Sequence, residues 1–261
     1  MPKLTSDQTW HPDFIKHPLF NGFKPEWCDT DCATWPDISQ LNQIASKLNL
    51  VNSIGLPIQF AQQDEVKGQR AYEHHIHTRG IVPTRPKNWH DFLNACVWFT
   101  FPKIKAALNN IHFSQPTDTG RTLASDAATV FDESGAILIG PDARLAQWLV
   151  AHDWQRAFVT ERHLWQHHRL LIIGHAVLEK SLNPYPGMIA KVLYHPTCDD
   201  VKHRNWATRI GEVDAAVANR WAQHDFDKPS KLFALPVMGV PGVDPANKHA
   251  EYYDNKRVFR I

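Results

Sequence analysis

Residues 83–109 carry the most distinctive pattern of apolar and polar positions in the chain. The segment reads PTRPKNWHDFLNACVWFTFPKIKAALN and is apolar around most of a helical circumference, yet it contains His90, Asp91 and Asn94. A helix of this kind is buried, and a buried neutral polar group without a partner costs about 2–7 kcal/mol. We therefore predict that these three side chains either make structural hydrogen bonds or line a site. Pro102 divides the segment into two helices.

The spacing of apolar residues predicts further elements along the chain. Asp37 is a good N-cap for an amphipathic helix that begins at residue 38. Other helices are predicted over residues 142–151, 174–182 and 212–223, and a short buried strand over residues 170–173. Residues 69–78 fit a helix or a strand equally well, and Gly80 ends that segment.

Two apolar runs on either side of a polar tripeptide predict a β-hairpin. The runs cover residues 127–132 and 136–139 and are rich in residues that favour strands. Glu133, Ser134 and Gly135 between them have the chemistry of a turn. This interpretation makes Asp132 and Glu133 ordinary turn residues.

The distribution of aromatic, proline and glycine residues divides the chain into three parts. Residues 1–35 are predicted to form an extended, aromatic-rich arm, residues 36–231 a globular α+β domain, and residues 232–261 a proline- and glycine-rich arm packed on that domain. The predicted fold is α+β: a mainly helical single domain with a small β-sheet or hairpin and extended N- and C-terminal arms.

Charge and composition exclude several classes of protein. The chain has 28 basic and 27 acidic residues, a formal net charge of +1, so no overall field attracts nucleic acid or an anionic membrane. The N-terminus lacks the apolar core of a signal peptide, and no apolar run approaches the roughly 20 residues of a membrane span. We predict a soluble cytoplasmic protein without a membrane partner, whose four cysteines are reduced.

Two predicted helices carry the candidate chemistry. His90 and Asn94 are four residues apart and share a helix face, with Asp91 on the adjoining face, and His175 and Glu179 repeat the spacing. Imidazole and carboxylate groups suit a divalent transition metal such as zinc, manganese or iron. The candidate metal ligands are His90, His175 and Glu179, and all five residues are candidate catalytic groups. Without a metal, either histidine is a candidate general base oriented by a carboxylate.

Two arginines are candidate substrate-binding residues. Arg85 precedes the buried helix and Arg121 precedes the predicted hairpin, and a guanidinium holds an anionic group by forked hydrogen bonds. Structural roles remain open for all of these residues. Arginines also tie loops to carboxylates, His175 and Glu179 have the spacing of a surface ion pair, and buried polar groups often cap neighbouring loops.

Two other candidate metal sites are less well supported. One combines Cys28 and Cys32 with His195, Cys198 or His203, and the other is the pair His75 and His77. The first two cysteines have the spacing C-x₃-C without a second regular ligand pair, and the two neighbouring histidines share a face only if their segment is a strand. No phosphate-binding glycine loop, dinucleotide fingerprint, zinc-protease helix or nucleophile elbow is present.

Two classes of function follow from these patterns. The leading hypothesis is a metal-assisted hydrolase that acts on a small anionic substrate. The alternative is a non-catalytic module that binds a protein or ligand through its aromatic N-terminal and proline-rich C-terminal arms. Nucleic acid is not an expected partner, because the basic residues at 202–204 and 256–257 form no continuous stripe.

Four ordered blocks of sequence resemble one bacterial family. They are VPTRPKNWHDFLNACVWFTFPKIKAALN, DAATVFDESG, IIGHAVLEK, and LPVMGVPGVDP followed by YYDNKRVFR. These blocks are similar to the family called domain of unknown function 3025, from about Tyr72 to the C-terminus. The resemblance implies no particular activity. It does imply a shared pattern that consists of Tyr72, Glu73, Arg85, Asn88, His90, Asp91, Asn94, Lys105, Asp126, Asp132, Glu133, Gly174, His175, Glu179 and Lys180. His74, His75, His77, Cys28 and Cys32 fall outside that pattern.

Overall fold

Eight helices and six strands make up the regular part of the computed structural model, which describes residues 8–23, 34–62, 68–114, 120–197 and 206–260. The helices are α1 (Ile38–Lys47), α2 (Gln69–Arg79), α3 (Trp89–Thr100), α4 (Pro102–Phe113), α5 (Leu123–Ser134), α6 (Ala143–Val150), α7 (His175–Lys180) and α8 (Trp206–Ala222). The strands are β1 (Gln59–Gln62), β2 (Ile81–Thr84), β3 (Gly135–Gly140), β4 (Arg169–Ile172), β5 (Ile189–Pro196) and β6 (Phe233–Pro236). Short 3-10 and π turns connect several of them.

A four-stranded mixed sheet with the order β4-β3-β5-β6 supports the site. β3 runs parallel to β5 and antiparallel to β4, and β5 runs antiparallel to β6. All six residues of β3 are buried, as expected for a central strand covered on both faces. β1 and β2 form a separate parallel pair. α5 leads directly into β3, and only Ile173 and Gly174 separate β4 from α7. The end of α5 and the start of α7 are therefore held by adjacent strands.

The buried helix α3 forms as its sequence predicts. Asn88 caps it by accepting a hydrogen bond from the backbone nitrogen of Asp91 at 3.1 Å. Leu93, Val97 and Trp98 are fully buried. α4 begins at the predicted proline and packs against α8, α2 and α5, and α3 packs against α7.

Several other sequence predictions are confirmed. Asp37 caps α1 through a reciprocal capping box with Gln40. The ambiguous segment over residues 69–78 is the helix α2, and Gly80 ends it in a left-handed conformation with φ of 69°. The predicted fold class, a mainly helical α+β protein with a small sheet, is also confirmed.

The predicted hairpin over residues 127–139 is wrong in its first half. Residues 127–132 lie in α5, and only the second run forms a strand, β3. The Thr122 side chain accepts a hydrogen bond from the Ser125 backbone nitrogen and starts the helix. Ala127, Ala128 and Phe131 are then buried on one helical face. Tertiary packing of that face outweighs the local preference for a strand.

Aromatic residues of the N-terminal arm pack on the start of α3. The ring of Trp10 stacks on Trp89 with centroids 4.9 Å apart, and Phe14 and Trp35 contact the same ring at 5.2 and 4.8 Å. In the C-terminal segment, β6 pairs with β5. The division of the chain at residues 35 and 231 stays a prediction.

Among the residues that the structure describes, none of the helices combines the length and apolar character needed to cross a bilayer.

Candidate functional site

Two histidines from different helices meet at the centre of the site. His90 lies in the first turn of α3 and His175 is the first residue of α7. Their Nε2 atoms are 3.0 Å apart, and the rings are inclined at 74°. His175 is only 4% exposed, whereas the His90 side chain is 29% exposed. The two helices that the sequence marks as chemically interesting therefore meet in space.

Each histidine has a carboxylate beside its other ring nitrogen. His90 Nδ1 lies 3.0 Å from Glu179 Oε2, and His175 Nδ1 lies 3.8 Å from Asp132 Oδ2. Glu179 thus contacts the nitrogen of His90 that points away from His175. Its role as a direct metal ligand stays a prediction. Its position beside Nδ1 is that of an outer carboxylate which orients the imidazole.

Glu133 is a third side chain close to the Nε2 atoms of the two rings. Glu133 Oε2 is 3.6 Å from His175 Nε2. One ligand atom from each of His90, Glu133 and His175 lies within 4.8 Å of the other two. Two imidazoles and one carboxylate form a donor set that zinc, iron and manganese accept.

Glu179 is at hydrogen-bond distance from Nδ1 of His90, whereas Asp132 is 3.8 Å from Nδ1 of His175 and acts on that ring mainly through its charge. A carboxylate beside Nδ1 favours the tautomer with hydrogen on Nδ1. If both rings were neutral in that form, two Nε2 lone pairs would face each other at 3.0 Å. A hydrogen on one of the two Nε2 atoms, or another cation between the rings, removes that repulsion.

The pKa values of the two histidines shift in opposite directions. Burial disfavours a charge on His90, but the carboxylates of Glu179, Glu133 and Asp91 outweigh burial and raise the pKa of the imidazole. Burial lowers the pKa of His175 to about 3, although Asp132 opposes that effect. His90 therefore holds a proton more strongly than His175 does.

A buried ion pair supports His175 from behind. Lys105 Nζ lies 2.5 Å from Asp132 Oδ1, and the two side chains are 6% and 17% exposed. Burial would raise the pKa of Asp132, but Lys105 and His175 outweigh burial and lower it. Asp132 is therefore ionised at neutral pH, with Lys105 on one side and His175 on the other.

Gly174 allows α5 and α7 to approach each other closely. A Cβ atom at this position would lie 2.5 Å from the backbone nitrogen of Gly135 and 2.6 Å from the carbonyl oxygen of Glu133. We expect the Gly174→Ala variant to lose about 1–3 kcal/mol of unfolding free energy and to move His175 away from Glu133. Chemical denaturation measures the loss. Gly211→Ala is the control, because a Cβ there meets nothing within 4 Å; equal stability of the two variants would contradict the prediction.

The histidines open onto a polar cavity of about 400 Å³. Besides the histidines and Glu133, its walls include Tyr72, Glu73, Arg85, Asp91, Asn94 and Asp132. Two larger cavities, of about 650 and 840 Å³, lie elsewhere. Neither is lined by a cluster of metal-ligating side chains among the described residues. The smaller cavity is therefore the candidate functional site.

Two residues of α2, the buried Glu73 and the partly buried Tyr72, line the same cavity. Glu73 Oε2 accepts a hydrogen bond of 2.8 Å from Asn109 Nδ2. Burial and the nearby charge of Asp132 raise the pKa of Glu73 to about 7, which Asn109 partly opposes. The Tyr72 hydroxyl accepts a hydrogen bond of 2.9 Å from Asn94 Nδ2. Asn94, a predicted catalytic residue, thus orients Tyr72.

The two predicted substrate-binding arginines differ in position. Arg85 lines the cavity and holds Asp91 through Nε and Nη2 at 2.9 and 2.8 Å, so Asp91 is committed to this ion pair. Arg121 is 60% exposed and pairs with Asp126 at 2.9 Å, and it is not among the residues that line the cavity.

Neither of the two other candidate metal sites forms a cluster of ligands among the described residues. His75 and His77 lie on the helix α2, so the strand geometry that would place them on one face is not present. The His77 ring stacks on Phe113 at 3.7 Å. His195 lies on β5. Cys28, Cys32, Cys198 and His203 lie outside the described residues.

Local sequence patterns did not indicate Glu73, Lys105, Asp132 or Glu133 as site residues. Asp132 and Glu133 have the chemistry of a turn, and the other two are single polar residues in predicted helices or ambiguous segments. The family resemblance was the signal that includes all four. The structure places each of them on the candidate cavity or in contact with a residue that lines it.

The fold and the site define an α+β protein with paired histidines and carboxylates at a polar cavity. A family model with the description "Protein of unknown function (DUF3025)" matches residues 58–261. The chain belongs to this family, as its sequence blocks predict, and the match contains every residue of the candidate site. No curated protein and no solved structure matches the chain significantly.

Proposed function

We propose that this protein is a metal-assisted hydrolase that acts on a small anionic substrate. The observation that carries the proposal is the convergence of His90 Nε2, His175 Nε2 and Glu133 Oε2 at a polar cavity. Glu179 is at hydrogen-bond distance, 3.0 Å, from the opposite nitrogen of His90, and Asp132 lies 3.8 Å from that of His175. Ligand imidazoles in metal sites almost always have such an outer partner.

The spacing of the donors agrees with a single bound cation. A nitrogen ligand lies about 2.0–2.1 Å from zinc. Two ligands at that distance and 3.0 Å from each other subtend about 95° at the metal, an angle close to that of five- or six-coordinate sites. Zinc, manganese and iron are the candidate ions. A bound ion would polarise a substrate oxygen and lower the pKa of a bound water.

Glu73 is the proposed general acid and base. Its carboxyl group lines the cavity, and Asn109 fixes one of its oxygens. A group with a pKa of about 7 exists in both protonation states at neutral pH, which is the condition for accepting and returning a proton efficiently. Glu73 would take the proton of the attacking water and deliver it to the leaving group.

Arg85 is the proposed contact for the anionic part of the substrate. A guanidinium has five N–H donors, and two of them serve Asp91. The remaining donors are at the rim of the cavity, where the Arg85 side chain is 53% exposed. Because Asp91 balances its charge, Arg85 would contribute directed hydrogen bonds rather than net attraction. Arg121 lies outside this cavity, so the anionic specificity depends on Arg85.

The alternative binding-module hypothesis has less support. It requires aromatic residues of the N-terminal arm at the surface, but Trp10, Phe14 and Trp35 pack around Trp89 at the start of α3. These rings stabilise the segment that carries His90.

Metal affinity should fall as the pH falls through the raised pKa of His90. A ligand imidazole must be deprotonated, so below that pKa the metal displaces one proton and affinity drops by about tenfold per pH unit. Above it, the affinity levels off. Calorimetric zinc titrations in two buffers of different ionisation enthalpy count the released proton. Affinity that does not change with pH below the raised pKa would contradict this protonation scheme.

A reconstitution experiment tests the hydrolase proposal. Chelated protein is loaded with zinc, manganese or iron and assayed against small esters, amides and phosphate esters that carry a carboxylate. We expect hydrolysis that requires one of the metals and is lost in Glu73→Gln, which preserves size and removes the titratable group. Equal rates for the loaded and the chelated protein across the whole series would refute the proposal.

A further inference from the structure

We infer that the group cleaved at this site is an uncharged acyl group, an amide or an ester, and that the Tyr72 hydroxyl donates a hydrogen bond to its carbonyl oxygen. This inference rests on the proposed metal-assisted hydrolysis and names the reacting part of the substrate. Two observations support the inference: the charges around the cavity balance, and a hydrogen bond orients Tyr72.

The positive side chains at the cavity already have carboxylate partners. Arg85 is paired with Asp91, and Lys105 lies behind the cavity wall in its ion pair with Asp132. Enzymes that transfer phosphoryl groups surround the charged oxygens with arginine, lysine or metal ions that retain net positive charge. The described residues of this cavity contain no such excess.

A bound divalent metal would not give the cavity an excess of positive charge. A divalent metal would bring two positive charges, and these would face the carboxylates of Glu133 and Glu179, which lie near His175 and His90. Glu73 adds no positive charge in either protonation state. The loaded cavity is therefore close to neutral, an environment suited to a neutral carbonyl group that becomes negative only during the reaction.

Tyr72 is the donor placed to stabilise that developing charge. Its oxygen accepts a hydrogen bond from Asn94 Nδ2 at 2.9 Å, so its own hydrogen is available to a different acceptor. Burial, together with nearby carboxylates, raises the pKa of Tyr72 well above its usual value. The side chain therefore remains a phenol at neutral pH, and it lines the same cavity as both histidines.

The proposed step balances without a further reactant. The oxygen of water forms a bond to the acyl carbon, and the bond from that carbon to the amine nitrogen or alcohol oxygen breaks. Glu73 as a carboxylate accepts a proton from the water and returns it to the leaving nitrogen or oxygen. The products are a carboxylic acid and an amine or alcohol. A single carboxylate elsewhere on the substrate is compatible with binding to Arg85.

The test compares two small probes by titration calorimetry of the zinc-loaded protein. Acetohydroxamic acid represents an acyl group at the metal, and inorganic phosphate represents a phosphoryl group. We expect acetohydroxamic acid to bind at least about tenfold more tightly than phosphate, and Tyr72→Phe to weaken its binding about tenfold, the effect of one lost hydrogen bond. Tyr252→Phe is the matched control, because its hydroxyl bonds to Asp244 away from the cavity.

The possible results distinguish failure of this inference from failure of the proposed function. Zinc content and thermal stability of each sample are measured first. Tighter binding of phosphate, or equal binding of acetohydroxamic acid to wild type and Tyr72→Phe at equal zinc content, would overturn the inference and leave the metal centre intact. Failure of the wild-type protein to retain zinc, manganese or iron would remove the inference together with the proposed function.

Discussion

Replacing His175 with alanine should lower the affinity for zinc by at least about 100-fold. Loss of an outer partner alone typically costs 10–100-fold in metal affinity, and this change removes a proposed direct ligand. It also leaves His90 Nε2 without the ring that lies 3.0 Å away. Calorimetric titration of the chelated protein with zinc measures the change.

The matched control for that experiment is His163→Ala. His163 is 63% exposed and is outside the candidate cavity, so its loss should leave zinc affinity unchanged. A His175→Ala protein that folds normally and binds zinc as tightly as the wild type would show that the two rings do not share a metal.

The second large effect is expected on stability. Lys105→Met removes one partner of a buried ion pair and leaves Asp132 facing His175 without its cation. Breaking such a pair typically costs about 3–5 kcal/mol, since an uncompensated charge remains buried. Urea denaturation at neutral pH should show a loss of this size.

Two further variants define the origin of that loss. The double variant Lys105→Met with Asp132→Leu removes both charges and should recover most of the stability. Arg144→Met breaks an ion pair with Asp142 whose arginine is 63% exposed, and should cost far less than Lys105→Met because solvent screens an exposed pair. If Lys105→Met costs no more than Arg144→Met, the buried pair does not stabilise the fold in this way.

The sequence predicted the elements that depend on local signals. The capped start of α3, the proline that begins α4 and the glycine that ends α2 are each specified by one residue and its neighbours. β5 was not predicted, because its place in the sheet depends on pairing with β3 and β6. Strand formation depends strongly on such non-local contacts.

The same distinction explains the candidate site. Spacing identified the helix faces of His90 and His175, but it could not show which carboxylate each ring meets. Glu179 shares a helix with His175 yet contacts His90. The order Asp-Glu-Ser-Gly predicts a turn at Asp132 and Glu133. Their position on the last turn of α5 depends on the direct junction of α5 with β3, which no local pattern encodes.

Anomalous X-ray diffraction from crystals of the zinc-loaded protein, at the zinc absorption edge, tests the central claim most directly. We expect one strong peak about 2.0–2.2 Å from the Nε2 atoms of His90 and His175 and from a Glu133 carboxylate oxygen, with Glu179 beyond the first ligand sphere. A peak elsewhere on the protein, or full zinc content with no peak between these two histidines, would contradict the proposed metal centre.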